Sequence, residues 1–214
     1  MIKYCIFFLC LLVLPMASFS QFEGVIAYEV NYEALDASKK DLLSMLPQKS
    51  LLYIKGEHSL FEQEVAGGGK QAFYIDAGKG SGMLVMQFLG QGYKVEMNQE
   101  EIESLKKAKA LDFNLTEGEQ TVSGYTCKKA VAISGTDTLK LFYSPELRSD
   151  SPVPPFAEVD GIPLKYEMIK GGVKMTYIAT LVKKTTIEAS TFKSAPDMKS
   201  MDFSDFAKSF AITQ

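Results

Sequence analysis

The chain has 214 residues, with 23 Lys and Arg against 26 Asp and Glu, one His, three Cys and no Trp. A formal net charge of −3 excludes the basic surface that a nucleic-acid-binding protein needs, so we expect no nucleic-acid partner. Hydrophobic residues make up 46% of the chain and aromatic residues 11%, which excludes intrinsic disorder, and the length favours a single domain.

The first twenty residues are predicted to form a secretory signal peptide. A short positive start ending at Lys3 is followed by an apolar run over 4–14, and the small residues Ser18 and Ser20 precede a cleavage site before Gln21. The apolar run is shorter than the roughly 20 residues of a membrane-spanning helix, so we expect no transmembrane segment in the mature chain. Residues 21–214 are predicted to be one exported domain, periplasmic or secreted, with a formal net charge of −4.

Cleavage before Gln21 would remove Cys5 and Cys10 and leave Cys127 alone, which excludes an intramolecular disulfide. A lone cysteine in an exported protein is a nucleophile, an intermolecular link or a buried apolar residue. The strand-like run from Val122 to Cys127 favours the buried residue.

Apolar residues alternate with polar ones along most of the mature chain, beginning with Ile26, Tyr28, Val30 and Tyr32. Glycine-rich turns separate the runs, and their short spacing favours an antiparallel meander, because a parallel crossover needs a dozen or more residues. The predicted strands are 26–32, 50–55, 58–65, 71–76, 83–89, 93–97, 121–133, 138–143, 163–170 and 173–184.

Three segments have a helical period instead. Residues 37–46 place an apolar stripe before Pro47, and residues 98–108 begin with Asn98 as a cap and carry acidic residues in the first turn. A weaker helix is predicted over 204–210.

No conventional catalytic or cofactor motif appears in the chain. A pair of Cys127 and His58 is the one nucleophile–base combination available, and no surrounding motif supports it. The run from Gly67 to Lys70 is not followed by a helix, so it does not predict a phosphate-binding loop. We therefore predict that the protein is not an enzyme, has no catalytic residues and binds no cofactor.

Two Met-x-x-Met spacings, at Met83/Met86 and Met198/Met201, resemble the thioether ligands of copper carriers. Residues three apart on a strand point to opposite faces, so Met83 and Met86 favour core packing over a shared metal ion. We predict no metal site.

Several predicted strands carry large apolar residues on both faces, as in 83–89 and 173–184. Such strands need a cover on the second face, or they line an apolar cavity inside a curled sheet. Composition alone does not distinguish a filled core from a lined cavity.

Five short motifs give the chain a family resemblance. They are Phe22–Tyr28, Val122–Lys129, Leu141–Leu147 and Gly161–Leu164, together with the helical segment that follows the first strand. The chain resembles a family of exported bacterial proteins classed as a domain of unknown function, which is similar to the periplasmic lipoprotein-carrier (LolA/LolB-like) superfamily.

The resemblance implies a mainly β (α+β) fold in which a strongly curved antiparallel sheet forms an unclosed half-barrel of about eleven strands. Two or three helices are expected to cover its concave side, over a pocket that holds a lipid or an acyl chain. The candidate lining residues are Ile26, Tyr28, Val30, Phe73, Ile75, Met86, Phe88, Leu141, Tyr143, Tyr166, Met168, Met175 and Tyr177.

The chain departs from the lipoprotein carriers in having no Arg in its first strands, since its single Arg is Arg148. This departure argues against lipoprotein trafficking and leaves apolar-ligand binding open. The proline-containing segment 148–156 is expected either to border the mouth of a pocket or to be a plain surface connection.

These observations predict an exported, non-enzymatic protein that holds a lipid or another apolar ligand in a half-barrel cavity. The alternative is an envelope structural or protein-interaction module with a filled core and an envelope protein as its partner. A hydrolase with an unrecognised site, resting on His58 and Cys127, is the third class.

Overall fold

The computed structural model describes residues 21–65, 67–88, 91–109, 111–193 and 198–209; the predicted signal peptide lies outside these ranges. The strands are β1 (Gly24–Ala34), β2 (Lys49–Lys55), β3 (His58–Val65), β4 (Gly69–Asp76), β5 (Ser81–Phe88), β6 (Gln91–Met97), β7 (Asn114–Val122), β8 (Tyr125–Ser134), β9 (Asp137–Ser144), β10 (Ile162–Lys170), β11 (Val173–Lys184) and β12 (Lys199–Ser200). The helices are α1 (Gln99–Lys109), α2 (Phe203–Ser209), a first 3-10 helix (Ala37–Met45) and a second 3-10 helix (Ala189–Phe192).

All twelve strands belong to one sheet with the order β12-β6-β5-β4-β3-β2-β1-β11-β10-β9-β8-β7. Two antiparallel meanders, β1–β6 and β7–β11, are joined where β1 pairs with β11, and only β12 lies parallel to its neighbour. The outermost strands, β7 and β12, do not pair with each other, so the sheet is open. The predicted fold class, a mainly β protein with one open antiparallel sheet and few helices, is confirmed.

Contacts between strands that are not neighbours show that the sheet curls strongly. The hydroxyl of Ser123, in the turn after β7, donates to the carbonyl of Ala179 on β11 at 2.6 Å. The ammonium of Lys165 on β10 reaches Gln120 on β7 at 3.3 Å. β10 and β7 are three positions apart in the sheet, about 14 Å in a flat sheet, so these contacts require curvature.

The strand prediction is wrong in one region. The predicted strand 121–133 is a hairpin, because Ser123 and Gly124 have positive φ values of 48° and 83° and form the turn between β7 and β8. Residues 114–120 of β7 are mostly exposed and polar, so they carry no apolar alternation. The other predicted strands are present, with ends that differ by up to two residues.

We call the face of the sheet that carries Ile26, Leu52 and Ile54 the inner face; α1 and α2 pack on it, over β5 and β6. The predicted cap of α1 is confirmed, since Asn98 and Glu101 exchange side chain-to-backbone hydrogen bonds of 2.8 and 3.0 Å. A side chain at Gly82 would come within 3.1 Å of Ile102, so the absence of a side chain there lets α1 approach the sheet.

The opposite, outer face of β3–β5 is also apolar and also covered. Leu60, Ala72 and Val85 are buried there beneath Phe192 of the second 3-10 helix and Met198. The strands with two apolar faces are thus explained by a cover on each side: α1 and α2 on the inner face, and the second 3-10 helix with Met198 on the outer face.

A β-bulge corrects one predicted face. Ala27 lies opposite Leu181 whereas Tyr28 lies opposite Ala179, so Thr180 is an extra residue in β11. Simple alternation places Leu181 on the face of Tyr177, but the bulge turns Leu181 outward, where it is 50% exposed, and brings Val182 opposite Ile26.

The first predicted helix differs from expectation. It is a 3-10 helix, capped by Asp36, and none of its residues is buried. Leu42 and Met45 are 46% and 58% exposed, so its apolar stripe does not cover the sheet. A 3-10 helix has three residues per turn, which does not keep residues 42, 43, 45 and 46 on one narrow face.

We predict that Leu141→Ala lowers the free energy of unfolding by about 2–5 kcal/mol, because Leu141 is fully buried on the inner face. Leu115→Ala is the matched control, since Leu115 is 67% exposed on β7 and its loss should change stability by less than about 0.5 kcal/mol. Urea unfolding followed by circular dichroism measures both. Equal effects of the two substitutions would contradict the assignment of the core.

Candidate functional site

The predicted lining residues lie on the inner face of the sheet. Cross-strand register places Phe73 level with Leu84, Val30 level with Tyr177, and Tyr166 level with Leu141. Side chains that are directly opposite each other on neighbouring strands point to the same face of the sheet. Because side chains alternate along each strand, the other candidate residues that the structure describes lie on this face as well. The side chain of Phe88 lies outside the described residues.

The centre of the inner face is filled by three buried tyrosines. The rings of Tyr166 and Tyr177 stack with centroids 4.6 Å apart, and Tyr28 meets Tyr166 edge-on at 5.9 Å. The Tyr28 hydroxyl donates to the carbonyl of Pro163 at 2.8 Å, and Gln63 donates to the Tyr177 hydroxyl at 3.3 Å. This part of the predicted lining is packed core.

Other members of the predicted set are only half-buried. Met168 pairs with Met175, Met175 pairs with Tyr32, and Phe61 pairs with Phe73 across neighbouring strands. The ring centroids of Phe61 and Tyr177 are 6.2 Å apart, so these half-buried residues adjoin the buried tyrosines. We call the half-buried residues on this face the inner strip: Tyr32, Phe61, Phe73, Met86, Met168 and Met175.

The larger cleft that we describe has a volume of about 860 Å³ and lies between α1 and the loop that joins β9 to β10. We call it the loop cleft. Its apolar lining comes from Leu111, Phe113, Val153, Phe156, Ala157, Val159, Ile162 and Pro163. Phe156 meets Phe73 edge-on at 6.0 Å, so the loop cleft adjoins the inner strip.

Charged residues surround the mouth of the loop cleft. Lys106 pairs with Glu103 at 2.6 Å, and Arg148 pairs with Asp160 at 2.9 Å. The predicted proline-containing segment 148–156 therefore borders a cleft, as one of its two interpretations expected. None of the thirteen candidate residues lines the loop cleft, and the signal that sequence reasoning missed is the cluster of apolar residues inside a loop rich in proline.

The loop is held against the sheet by buried polar contacts. Ser59 on β3 donates to the carbonyl of Pro152 at 2.9 Å and accepts from the hydroxyl of Ser151 at 2.8 Å. At the other end of the loop, a side chain at Gly161 would lie 2.2 Å from the carbonyl of Ser144. The loop returns to β10 because Gly161 allows this close approach.

A smaller cleft of about 430 Å³ lies where β2–β5 meet the second 3-10 helix. Of the thirteen candidate residues it contains only Ile75. His58, the first residue of β3, is in this cleft, 3.8 Å from Asp76 and stacked on Phe192.

The structure does not bring the two conventional catalytic candidates together. Cys127 on β8 is buried in the main core with Tyr28, whereas His58 lies on the outer face of β3 against Phe192. Cys127 is fully buried, and burial raises the pKa of its thiol to about 11. Met83 and Met86 pack in different apolar clusters on opposite faces, as alternation predicts. In the part of the chain that the structure describes, no three His, Cys, Asp or Glu side chains are grouped to hold a metal ion.

Comparisons with known proteins support the fold. The chain matches PNGF-II in two crystal forms, with TM-scores of 0.56 and 0.54 at 16% and 15% identity over 88% and 86% of this chain. It spans only about a third of the PNGF-II chain, 33% and 32% in the two forms. An uncharacterised conserved protein from Thermus thermophilus matches with a TM-score of 0.43 at 13% identity, over 84% of this chain and 91% of that chain.

No protein-family model matches the chain, and no curated protein matches it. At these identities the structural likeness concerns the fold alone. The resemblance to the LolA/LolB-like carriers therefore stays a prediction. Among the described residues the longest α-helix has 11 residues, and no helix is long and apolar enough to cross a bilayer.

We predict that Cys127 does not react with Ellman's reagent in the native protein at pH 7.5 and reacts fully in 6 M guanidinium chloride. The chain from Gln21 on is suitable, because Cys127 is its only cysteine. A thiol with a pKa of about 11 contributes stability that is present below its unfolded pKa of about 8.5 and is lost as the pH rises through 11. Rapid reaction of the native thiol at pH 7.5 would contradict its burial.

Proposed function

We propose that the protein is an exported, non-enzymatic binding protein that holds a lipid or another apolar ligand along the inner strip and the adjoining loop cleft. The observation that carries the proposal is the inner strip. Six large apolar side chains on one face of the sheet are only half-buried, although the same face is fully packed at its centre. Several partly exposed apolar side chains on one face of a sheet are typical of binding sites.

The composition of the inner strip suits a flexible apolar ligand. Three of its six residues are methionines, Met86, Met168 and Met175, whose unbranched side chains adapt to irregular shapes. The loop cleft adds about 860 Å³, within the range of roughly 300–1,000 Å³ that is usual for small-molecule sites. Its charged mouth leaves room for a polar head group next to an apolar tail.

The resemblance to lipoprotein carriers supports the same ligand class, while the lack of Arg in the first strands argues against a lipoprotein as cargo. The predicted signal peptide favours an activity outside the cytoplasm, where a lipid carrier has membranes on which to act. The absence of a recognised nucleophile–base pair is consistent with binding without chemistry.

A second function, as a protein-interaction module, is favoured by one observation. β7 forms an edge of the sheet over nine residues, and its side chains are mostly exposed. Unpaired edge strands accept strands from other proteins. An envelope protein that adds a strand to β7 is the partner that this function requires.

We predict that the protein binds cis-parinaric acid, a fluorescent fatty acid, and that Met175→Gln weakens binding about tenfold. The reason is that a half-buried apolar side chain of the inner strip contributes roughly 1.5 kcal/mol of apolar contact. Fluorescence titration measures the affinity, and native mass spectrometry of the purified protein reports any lipid that copurifies.

Leu181→Gln is the matched control, because Leu181 lies on the same strand but is exposed on the outer face. It should leave binding unchanged. If neither a copurified lipid nor parinaric acid binding is found, or if both variants weaken binding equally, the lipid function is wrong. A stoichiometric envelope partner captured by the lipid-free protein would then favour the interaction module.

A further inference from the structure

The smaller cleft, here called the outer cleft, is separate from the site proposed above. It lies on the side of the sheet opposite to the inner strip, at one end of β2–β5, and the second 3-10 helix forms one wall. Its polar lining is Lys55, His58, Asp76, Lys79, Ser81 and Lys193.

Strand register builds the floor of the outer cleft from two adjacent rows of side chains. Lys55, His58, Asp76 and Ser81 are direct neighbours across four strands and form a polar row. Two residues along each strand, Tyr53, Leu60, Tyr74 and Met83 form an apolar row on the same face, of which Tyr74 and Met83 line the cleft. A ligand on this floor meets apolar surface on one side and polar groups on the other.

Hydrogen-bond donors exceed acceptors in the polar part of the outer cleft. The one carboxylate, Asp76, already accepts from the ammonium of Lys79 at 2.9 Å and from its backbone N–H at 3.1 Å. Among the described residues the side chains of His58, Ser81 and Lys193 have no hydrogen-bond partner, and His58 is 3.8 Å from Asp76. Donors without protein partners suit a ligand that supplies acceptor oxygens.

The lysines that line the outer cleft also favour an anionic ligand. Lys55, Lys79 and Lys193 face one lining carboxylate, Asp76. Glu23 pairs with Lys55 at 3.3 Å, Asp76 pairs with Lys79, and the Glu57 carboxylate lies beside Gly78. Lys193 is the lining cation that has no carboxylate partner among the described residues.

The walls of the outer cleft are aromatic. His58 and Phe192 stack with centroids 5.4 Å apart and ring planes inclined by 29°, and Tyr74 is half-buried on the floor. Flat apolar walls favour a ring over an extended chain, and the volume of about 430 Å³ fits a molecule of one or two rings.

We propose that the outer cleft is a second ligand site, for a small aromatic molecule that carries one anionic group. The ring packs on Tyr74 and Met83 beside the His58–Phe192 pair, and the anionic group accepts hydrogen bonds from Ser81, Lys79 and Lys193. A carboxylate and a phosphate share the chemistry that this site recognises.

The proposal is tested with 1-naphthoate, 1-naphthyl phosphate and the neutral 1-naphthalenemethanol as probes of ¹⁵N-labelled protein. We expect at least one anionic probe to bind about tenfold more tightly than the neutral one and to shift the amide signals of Ser81, Gly82 and Ala189. The more tightly bound anion identifies the acidic group that the site prefers.

The double variant Lys79→Gln/Lys193→Gln should reduce anion affinity about tenfold, because it removes two cations from the cleft. Lys128→Gln/Lys140→Gln, which removes two exposed lysines from β8 and β9, is the matched control and should bind as the wild type does. All four lysines are exposed, so both variants should fold, which the thermal midpoint verifies.

Three results would overturn the proposal. These are equal affinity for the anionic and the neutral probes, equal loss of affinity in the two double variants, and amide shifts confined to the inner strip. The last result would leave the lipid function intact, because it would assign the probes to the inner site instead.

Discussion

The pairing of β1 with β11 is the interaction on which the rest of the architecture depends. These two long strands hold together two meanders that otherwise would each be a separate sheet with two open edges. Their register sets Ile26 against Val182, Tyr28 against Ala179 and Val30 against Tyr177. Each further strand inherits its inner and outer faces from this seam, because a slip of one residue would exchange the two faces.

The covers on the inner face explain why it is packed in some places and open in others. α1 and α2 cover β5 and β6, and the β9–β10 loop reaches β3 through Ser151 and Pro152. The three stacked tyrosines fill the centre, and burial raises the pKa values of Tyr28 and Tyr166 well above the usual range of a phenol. The inner strip lies where none of these covers is complete.

Sequence periodicity predicted most of the fold because alternation follows directly from which side of a strand is buried. It missed β7, whose edge position leaves its side chains exposed and removes the apolar signal. It also joined β7 to β8, since Ser123–Gly124 is a weaker turn signal than Asn-Gly. The bulge at Thr180 could not be read from the pattern, because apolar residues stand on both sides of it, at 177–179 and 181–182, and either register gives two apolar faces.

The candidate sites were less accessible to sequence reasoning. The thirteen candidate residues were placed on one face through alternation. Alternation predicts which face of the sheet a side chain is on, but not how deeply that side chain is buried. It could not separate the buried Tyr166 from the half-buried Met168 two residues later, because depth depends on loops folded from elsewhere. The outer cleft is formed by β2–β5 and a helix more than a hundred residues further along the chain, so no local sequence pattern predicts it.

The β1–β11 seam also constrains how the chain reaches its native state. Gly24 of β1 pairs with Lys184 of β11. One edge of β1 therefore has no hydrogen-bonding partner until β11 has folded against it. Contacts of such sequence separation fold slowly, since the loop between them must be closed before the pairing stabilises it. Until β11 arrives, β1 presents an apolar edge to solvent, and the meander β1–β6 is the part of the molecule most exposed to wrong strand partners. A chain that emerges amino terminus first during synthesis passes through this state, in which β1 has one unpaired edge and the native fold does not yet protect it from aggregation.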